Sequence, residues 1–177
     1  MNAKYRNALP QFKERLLADA GLETWLVFDE GVELPHFSAV TEMASDEGRA
    51  RYRRYLGHYT DIAHRHACGL VVETTTWRAS PDWSRPLGYS LEELIDLNRE
   101  AVEVLVGVRE EFERHSHRPL VISGCIGPRG DGYHPETRMT PAQAESYHQW
   151  QVDVLSDTQV DLITGMTINY VDEAIGL

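Results

Sequence analysis

The sequence predicts an α/β fold built on a parallel sheet. Three observations carry that prediction. Four short apolar runs, rich in leucine and β-branched residues, lack the in–out alternation of a half-exposed strand and read as strands buried on both faces. Long amphipathic segments alternate with these runs, the strand–helix order of a parallel sheet. Three of the amphipathic segments open on helix-capping residues.

In chain order, residues 1–14 form an N-terminal lead-in segment, and Leu16-Leu17-Ala18 is the first strand, ending at Asp19. The first long helix runs from Asp46 to about His66 with Ser45 as its N-cap. Tyr52, Tyr55, Leu56, Tyr59, Ile62 and Ala63 recur at helical spacing and form its apolar face. Gly69-Leu70-Val71-Val72-Glu73-Thr74 is the second strand. Ser90, with Glu93 three residues on, opens the second long helix through a capping box; it runs to about His115 through Leu94, Leu97, Leu105, Val108 and Phe112. Pro119 closes that region, and Leu120-Val121-Ile122-Ser123-Gly124 is the third strand. The next helix starts at Thr140, with Pro141 at N1 and Gln143 at N3, and Ala144, Tyr147, Val154 and Leu155 give it an apolar face. Val160-Asp161-Leu162-Ile163-Thr164-Gly165 is the fourth strand. A last, short helix begins near Asn169 with Val171, Ala174 and Ile175 on one face. So short a helix is marginal by itself, and the sequence reads as the opening part of a longer design.

Size and charge bound the function. At 177 residues and 20.2 kDa the chain has the length of one domain, enough to bury about two thirds of its unfolded surface without staples. Seventeen basic against 28 acidic side chains leave a net charge of −11, which argues against a nucleic-acid or anionic-membrane partner. No apolar stretch nears the roughly 18 residues of a membrane span, and Met1 to Phe12 has no secretory-leader pattern. Two cysteines, Cys68 and Cys125, make no disulfide framework, so a cytoplasmic location is expected. His64 and His66 point different ways on their helix, and His115 and His117 sit at a helix end where a cation suits the dipole. No Cys-x-x-Cys, His-x-x-x-His or Cys/His cluster occurs, so no zinc site made wholly within this chain is expected.

Ligands of parallel α/β folds bind at the C-terminal ends of the strands, which makes residues 19–23, 74–80, 124–133 and 165–170 informative. At Asp19-Ala20-Gly21 a carboxylate precedes exposed backbone amides. That suits an α-amino acid, the Asp taking the ammonium and the amides the carboxylate; it also suits a turn in which Asp19 caps its own backbone. Thr74, Thr75 and Thr76 either extend a strand or line a pocket with Trp77 as its lid. Residues 124–133 hold four glycines and Arg129, but Pro135 separates them from the next helix. They therefore shape a pocket rather than cradle a phosphate. Cys68 falls in a helix-to-strand turn; Cys125 is either a pocket thiol or a small buried hydrophobe.

Taken in order and at their spacing, four segments resemble the homocysteine S-methyltransferase family: Asp19-Ala20-Gly21-Leu22-Glu23-Thr24, Glu73-Thr74-Thr75-Thr76-Trp77-Arg78-Ala79-Ser80, Gly124-Cys125-Ile126-Gly127-Pro128 and Val171-Asp172-Glu173-Ala174-Ile175-Gly176. The similarity runs from Leu16 to Leu177. It implies a (β/α)8 TIM barrel, and since a complete barrel takes about 250 residues, residues 1–177 correspond to about its first four βα units, the N-terminal portion of a homocysteine-binding domain. It implies methyl transfer from an onium donor, such as S-methylmethionine or betaine, to the homocysteine thiolate, giving methionine. In the family a Zn²⁺ on three cysteine thiolates keeps that sulfur deprotonated. By the same resemblance Asp19 and the backbone after it, Gly21 included, hold the amino-acid end of homocysteine, Thr74 lines the pocket and Trp77 packs on the substrate chain.

The resemblance assigns this chain no catalytic and no metal-ligating residue. The family's zinc cysteines lie in its second half, and Cys68 and Cys125 match neither of their positions. Two further departures concern the pocket. Ala20 stands where the family has the middle residue of Asp-Gly-Gly, and Met166 stands where members often place a glutamate that binds the amino group. The implied protein is a methyltransferase of this family, with homocysteine and a small methyl donor as partners, inactive as this chain alone. The alternatives are a non-catalytic half-barrel that binds an amino acid or self-associates to cover its sheet edges, and a different barrel enzyme working through Asp19 and Glu73.

Overall fold

Four parallel strands lie side by side in chain order: β1 (Leu16–Ala18), β2 (Gly69–Glu73), β3 (Leu120–Ile126) and β4 (Leu162–Gly165). Ala18 pairs with Val71, Glu73 with Ser123, and Cys125 with Thr164. The computed structural model describes residues 3–133, 135 and 137–177, so the first two residues of the lead-in lie outside it. Parallel neighbours need long crossovers, and helices fill them: α1 (Leu22–Phe28), α2 (Asp46–His66), α3 (Ser84–Leu87), α4 (Leu91–Ser116), α5 (Pro141–Ser156) and, after β4, α6 (Val171–Gly176). This is the βα architecture of the expected barrel type. Among the described residues no helix is long and apolar enough to cross a membrane.

The capping signals hold at all three long helices. Ser45 accepts from the Gly48 N–H, and both capping boxes, Ser90 with Glu93 and Thr140 with Gln143, are complete. α2 buries Tyr52, Tyr55, Leu56 and Ala63, and α4 buries Leu94, Leu97, Ala101, Val102, Leu105 and Phe112. Between them and the sheet lies the core, with Leu70, Val72, Leu120, Ile122 and Ile126 contributed by the strands. All seven residues of β3 are buried, as expected of an apolar strand without alternation.

The structure corrects the sequence reading in four places. The short helix α1 was not foreseen; seven residues with no side-chain cap leave too weak a local signal. β3 runs two residues further, which puts Cys125 inside the strand rather than past it. β4 starts at Leu162 rather than Val160. Asp161 serves as an anchor instead, accepting from the backbone N–H groups of Ile122 (2.9 Å) and Tyr5 (2.6 Å) and from Arg109 (3.1 Å). Through Tyr5, and through Arg6 bonded to the Thr158 and Val160 carbonyls, the lead-in is tied to the N-terminal end of the sheet.

The fourth correction concerns α6. Its expected apolar face points outward: Val171 is 72% and Ile175 65% exposed, and Ala174 is exposed too. Glu173 is fully buried in their place. Its Oε1 accepts from the Arg129 N–H (2.8 Å) and pairs with His148 Nε2 on α5 (3.1 Å). Buried polar groups are held by the hydrogen bonds they make, so this anchor at Oε1, not the apolar stripe, sets the rotation of α6. Gly176 then permits close contact, since a Cβ there would lie 2.3 Å from the Pro141 carbonyl oxygen.

Candidate functional site

A cavity of about 250 Å³ opens at the C-terminal ends of the strands. Every strand contributes to it: Asp19 follows β1, Glu73 and Thr74 end β2, Cys125 lies in β3, and Met166 follows β4. Phe37, Trp77, Tyr133 and Thr167 form its mouth, and Gly21, Glu23 and Tyr55 complete the side under β1. The four positions singled out from sequence, Asp19, Gly21, Thr74 and Trp77, therefore line one cavity. A larger groove of about 470 Å³, lined by Gly57, His64, Gly107 and Phe112 among others, runs between α2 and α4, away from the strand ends.

Asp19 reaches well beyond its own turn. Its Oδ1 accepts from the Glu73 N–H (2.9 Å) and its Oδ2 from the Tyr55 hydroxyl (3.2 Å), which ties β1 to β2 and to α2. Gly21 takes the left-handed conformation (φ 79°) at the start of α1, where glycine carries no steric cost. Thr74 is buried, and its hydroxyl is committed. Thr76 donates its one hydrogen to the Cys125 carbonyl (2.7 Å), so in the 2.6 Å contact between the two threonines Thr74 must be the donor. The Cys125 N–H in turn donates to Thr74 Oγ1 (2.9 Å). Thr74 thus fastens the end of β2 to β3 and shapes the wall; it has no hydrogen left for a ligand.

Trp77 is fixed by its indole N–H to Thr167 Oγ1 (3.0 Å) and by its carbonyl, which accepts from Gly127 (3.0 Å). The glycine is required there, because a Cβ on residue 127 would sit 2.3 Å from the Trp77 oxygen and 2.7 Å from its ring. Thr167, Phe37 and the adjacent His36 all have left-handed backbone (φ 59°, 55° and 51°). Such conformations are costly for residues with a Cβ and concentrate at working sites.

The cavity is acidic. Asp19, Glu23 and Glu73 line it, and among the described residues no lysine or arginine does. Burial pushes the Asp19 carboxyl up to about 6, against the pull of the Glu73 N–H and the Tyr55 hydroxyl. Burial, with the charge of Asp19 adding, pushes Glu73 up to about 7, against the hydroxyls of Ser123 and Thr164. Glu23 is raised by burial and, less, by Asp19, against its own backbone N–H and the Arg78 guanidinium. The Cys125 thiol is raised well above its ordinary value by burial and then by the three carboxylates; it is held as a neutral thiol, the opposite of an activated one. Glu23, Phe37, Tyr55 and Tyr133 are cavity residues that sequence reasoning left unassigned. Glu23 and Tyr133 fall within segments marked by the strand ends, Tyr55 carries only the signal of a helix's apolar face, and Phe37 carries none.

A three-thiolate zinc site does not fit these residues. Cys68 precedes β2 and Cys125 is near the end of β3, so the two cysteines stand at opposite ends of a parallel sheet. Among the described residues no three His, Cys, Asp or Glu side chains converge as a metal site.

A family model of homocysteine S-methyltransferase matches residues 39–177. The chain belongs to the homocysteine S-methyltransferase family. Two solved structures of the homocysteine methyltransferase MmuM from Escherichia coli share its fold: the metallated form with a TM-score of 0.70 and the oxidized form with 0.73, each at 19% sequence identity. They cover 95% and 96% of this chain, and the chain covers 59% of each of them. Among curated protein sequences none matches the chain. Of the two departures from the methyltransferase pattern within the pocket, Ala20 is explained. Gly21, not residue 20, takes the left-handed conformation, and the Ala20 backbone is held at both its N–H and its carbonyl by the Tyr59 hydroxyl. Met166 does line the cavity and brings no charge to it.

Proposed function

We propose that this chain forms the amino-acid pocket of a homocysteine S-methyltransferase that takes a methyl group from a small onium donor, S-methylmethionine, betaine or a related compound, and yields methionine. The observation that carries this reading is the convergence of Asp19, Gly21, Thr74 and Trp77 on one cavity whose charged side chains are all carboxylates. An ammonium group is the complement of that surface. Asp19 faces the ammonium, the left-handed turn at Gly21 leaves backbone open beside it, and Trp77 packs along the substrate's methylene chain. In the transfer the homocysteine sulfur forms a bond to the methyl carbon as the donor's sulfur or nitrogen leaves with the bonding pair. The cationic donor suits the same aromatic and acidic walls. The family's zinc would come from cysteines that this chain does not supply, so binding, not turnover, is expected of the chain alone. Two free cysteines suit a reducing, cytoplasmic setting.

Calorimetric titration of the 177-residue chain with L-homocysteine and with 4-mercaptobutanoate, which lacks the amino group, tests the reading. Homocysteine is expected to bind and the des-amino compound to bind at least tenfold more weakly, a charged hydrogen bond being worth about 1.5–3 kcal/mol. Equal affinity for the two, or no binding of either, overturns it.

A further inference from the structure

Of the carboxylates in the cavity, the one first suggested by sequence is the most fully occupied. Both oxygens of Asp19 already have donors from the protein, the Glu73 N–H and the Tyr55 hydroxyl. Glu73 differs. Its side chain lines the cavity, and although the Ser123 and Thr164 hydroxyls act on the carboxyl, its buried Oε2 has no hydrogen-bond donor. Buried acceptors without donors are rare in folded proteins and call for an explanation. Among the described residues no lysine or arginine lines the cavity to supply one.

The surroundings of Glu73 keep it in place without neutralising it. Tyr52 on α2 donates to its backbone carbonyl (2.5 Å), which positions the residue but leaves the carboxyl untouched. Around the carboxyl stand Asp19 after β1, Tyr52 on α2, and Ser123 and Cys125 on β3, with Glu23 of α1 and Tyr55 of α2 lining the same cavity. All of them are anionic or neutral. β4 offers the Thr164 hydroxyl and the uncharged Met166. A cation with several N–H donors is what this arrangement lacks, and a primary ammonium has three.

We propose that Glu73 is the principal acceptor of the ligand's ammonium group, with Asp19 as its fixed neighbour, so that a carboxylate at the end of β2 makes the recognition to which Met166 cannot contribute. The inference rests on the amino-acid pocket proposed above and names the residue that decides its specificity. It has a consequence in protons. Near pH 7 Glu73 is partly protonated in the empty cavity. An ammonium placed against it favours the carboxylate, so binding expels the proton to solvent while the ligand keeps all three of its own.

The test is calorimetric titration of the 177-residue chain with L-homocysteine at pH 7.0 in two buffers of different ionisation enthalpy. Wild type is expected to release about half a proton per ligand bound. Glu73→Gln is expected to raise Kd about tenfold or more and to cut the release to the small share of Asp19. Glu73→Asp keeps the charge with a shorter reach; it is expected to retain proton release at intermediate affinity, and it guards against misreading a folding defect. Asp19→Asn is expected to weaken binding yet keep most of the release. If wild type binds homocysteine and Glu73→Gln matches it in Kd and proton release, the inference is overturned while the pocket stands. Weaker binding by Glu73→Gln with no proton release in wild type assigns the residue a structural role and overturns it as well. No binding by wild type removes the pocket and this inference together.

Discussion

Trp77 is held from three sides, and each contact makes a separate demand on the sequence. Thr167 receives the indole N–H, Gly127 donates to the carbonyl, and the Arg78 guanidinium lies 4.7 Å from the Trp77 ring and 4.7 Å from that of Trp83. Arg78 also donates to the His36 carbonyl, beside the left-handed Phe37 that lines the same cavity. Gly127→Ala is therefore expected to displace the indole. Overpacking of this kind costs about 1–3 kcal/mol, so a lower Tm and a shifted tryptophan emission should appear together; an unchanged emission would show that the ring does not depend on this glycine. In a form of the protein that turns over, Trp77→Ala should lower kcat as well as raise KM, because the reacting atoms lose alignment. Asp19→Asn should mainly raise KM, by about 10- to 150-fold, since its contact is alike in ground and transition states. Steady-state kinetics on the two variants separate these effects. Residue types were readable in the chain at this scale, whereas the direction of the Thr74 hydrogen depended on three hydroxyl and carbonyl groups meeting across two strands.

At the scale of elements, α6 shows an electrostatic anchor overriding an apolar pattern. Burial lowers the pKa of His148 despite the opposing influence of Glu173, so near neutrality the ring is uncharged. Its Nε2–H then donates to Glu173 Oε1, and the unpartnered Nδ1 is a lone pair rather than an orphaned donor. Glu173 also holds the Arg129 N–H, so one carboxylate joins α6, α5 and the loop after β3. Glu173→Ala leaves those donors buried and unpaired and is expected to cost about 2–3 kcal/mol. Urea unfolding measures the loss, and amide exchange in α6 should rise before exchange in α4. Glu173→Gln, which keeps an acceptor, should lose less than half as much. Helical spacing alone placed Val171, Ala174 and Ile175 on an inner face, because a periodicity argument has no term for a carboxylate met by donors from two other elements.

For the whole molecule the acidic cavity sets a pH dependence. Asp19 and Glu73 titrate near 6 and 7 in the folded chain, above their ordinary values of 3.8 and 4.5. The folded state thus keeps protons that the unfolded state has already released, and stability falls as pH rises from about 4 to about 7. His148 works the other way: its lowered pKa means that stability is lost as pH falls below about 6.5. Comparing wild type with Glu73→Gln isolates the carboxyl. The variant should be the more stable by about 1–2 kcal/mol at pH 8, allowing for partial exposure, and the two should converge at pH 4.5 in thermal melts. The second expectation at this scale concerns assembly. The outer edges of β1 and β4 carry no partner strand among the described residues, and Val171, Ile175 and Leu177 are exposed beside α6. Open edges and apolar patches favour association. Light scattering after size exclusion should report a mass above 20.2 kDa; a stable monomer with a sharp melt would count against it.

The order of strands and helices, the three capped helix starts and the family could all be read from the chain, because each is written in local spacing: apolar runs, capping residues and ordered motifs. The same spacing marked Asp19, Gly21, Thr74 and Trp77. Tertiary structure alone decided that these residues share one cavity with Glu23, Glu73 and Phe37, that Asp19 spends its oxygens on Glu73 and Tyr55 while Glu73 keeps one unpaired, and that α6 turns on Glu173. Those outcomes depend on which donors and charges arrive from segments 21 to 54 positions away, as Tyr52 to Glu73, Tyr55 to Asp19, Glu73 to Asp19 and Arg129 to Glu173 illustrate. Hydrogen bonding and desolvation act through space, and no local pattern in the chain records where they meet.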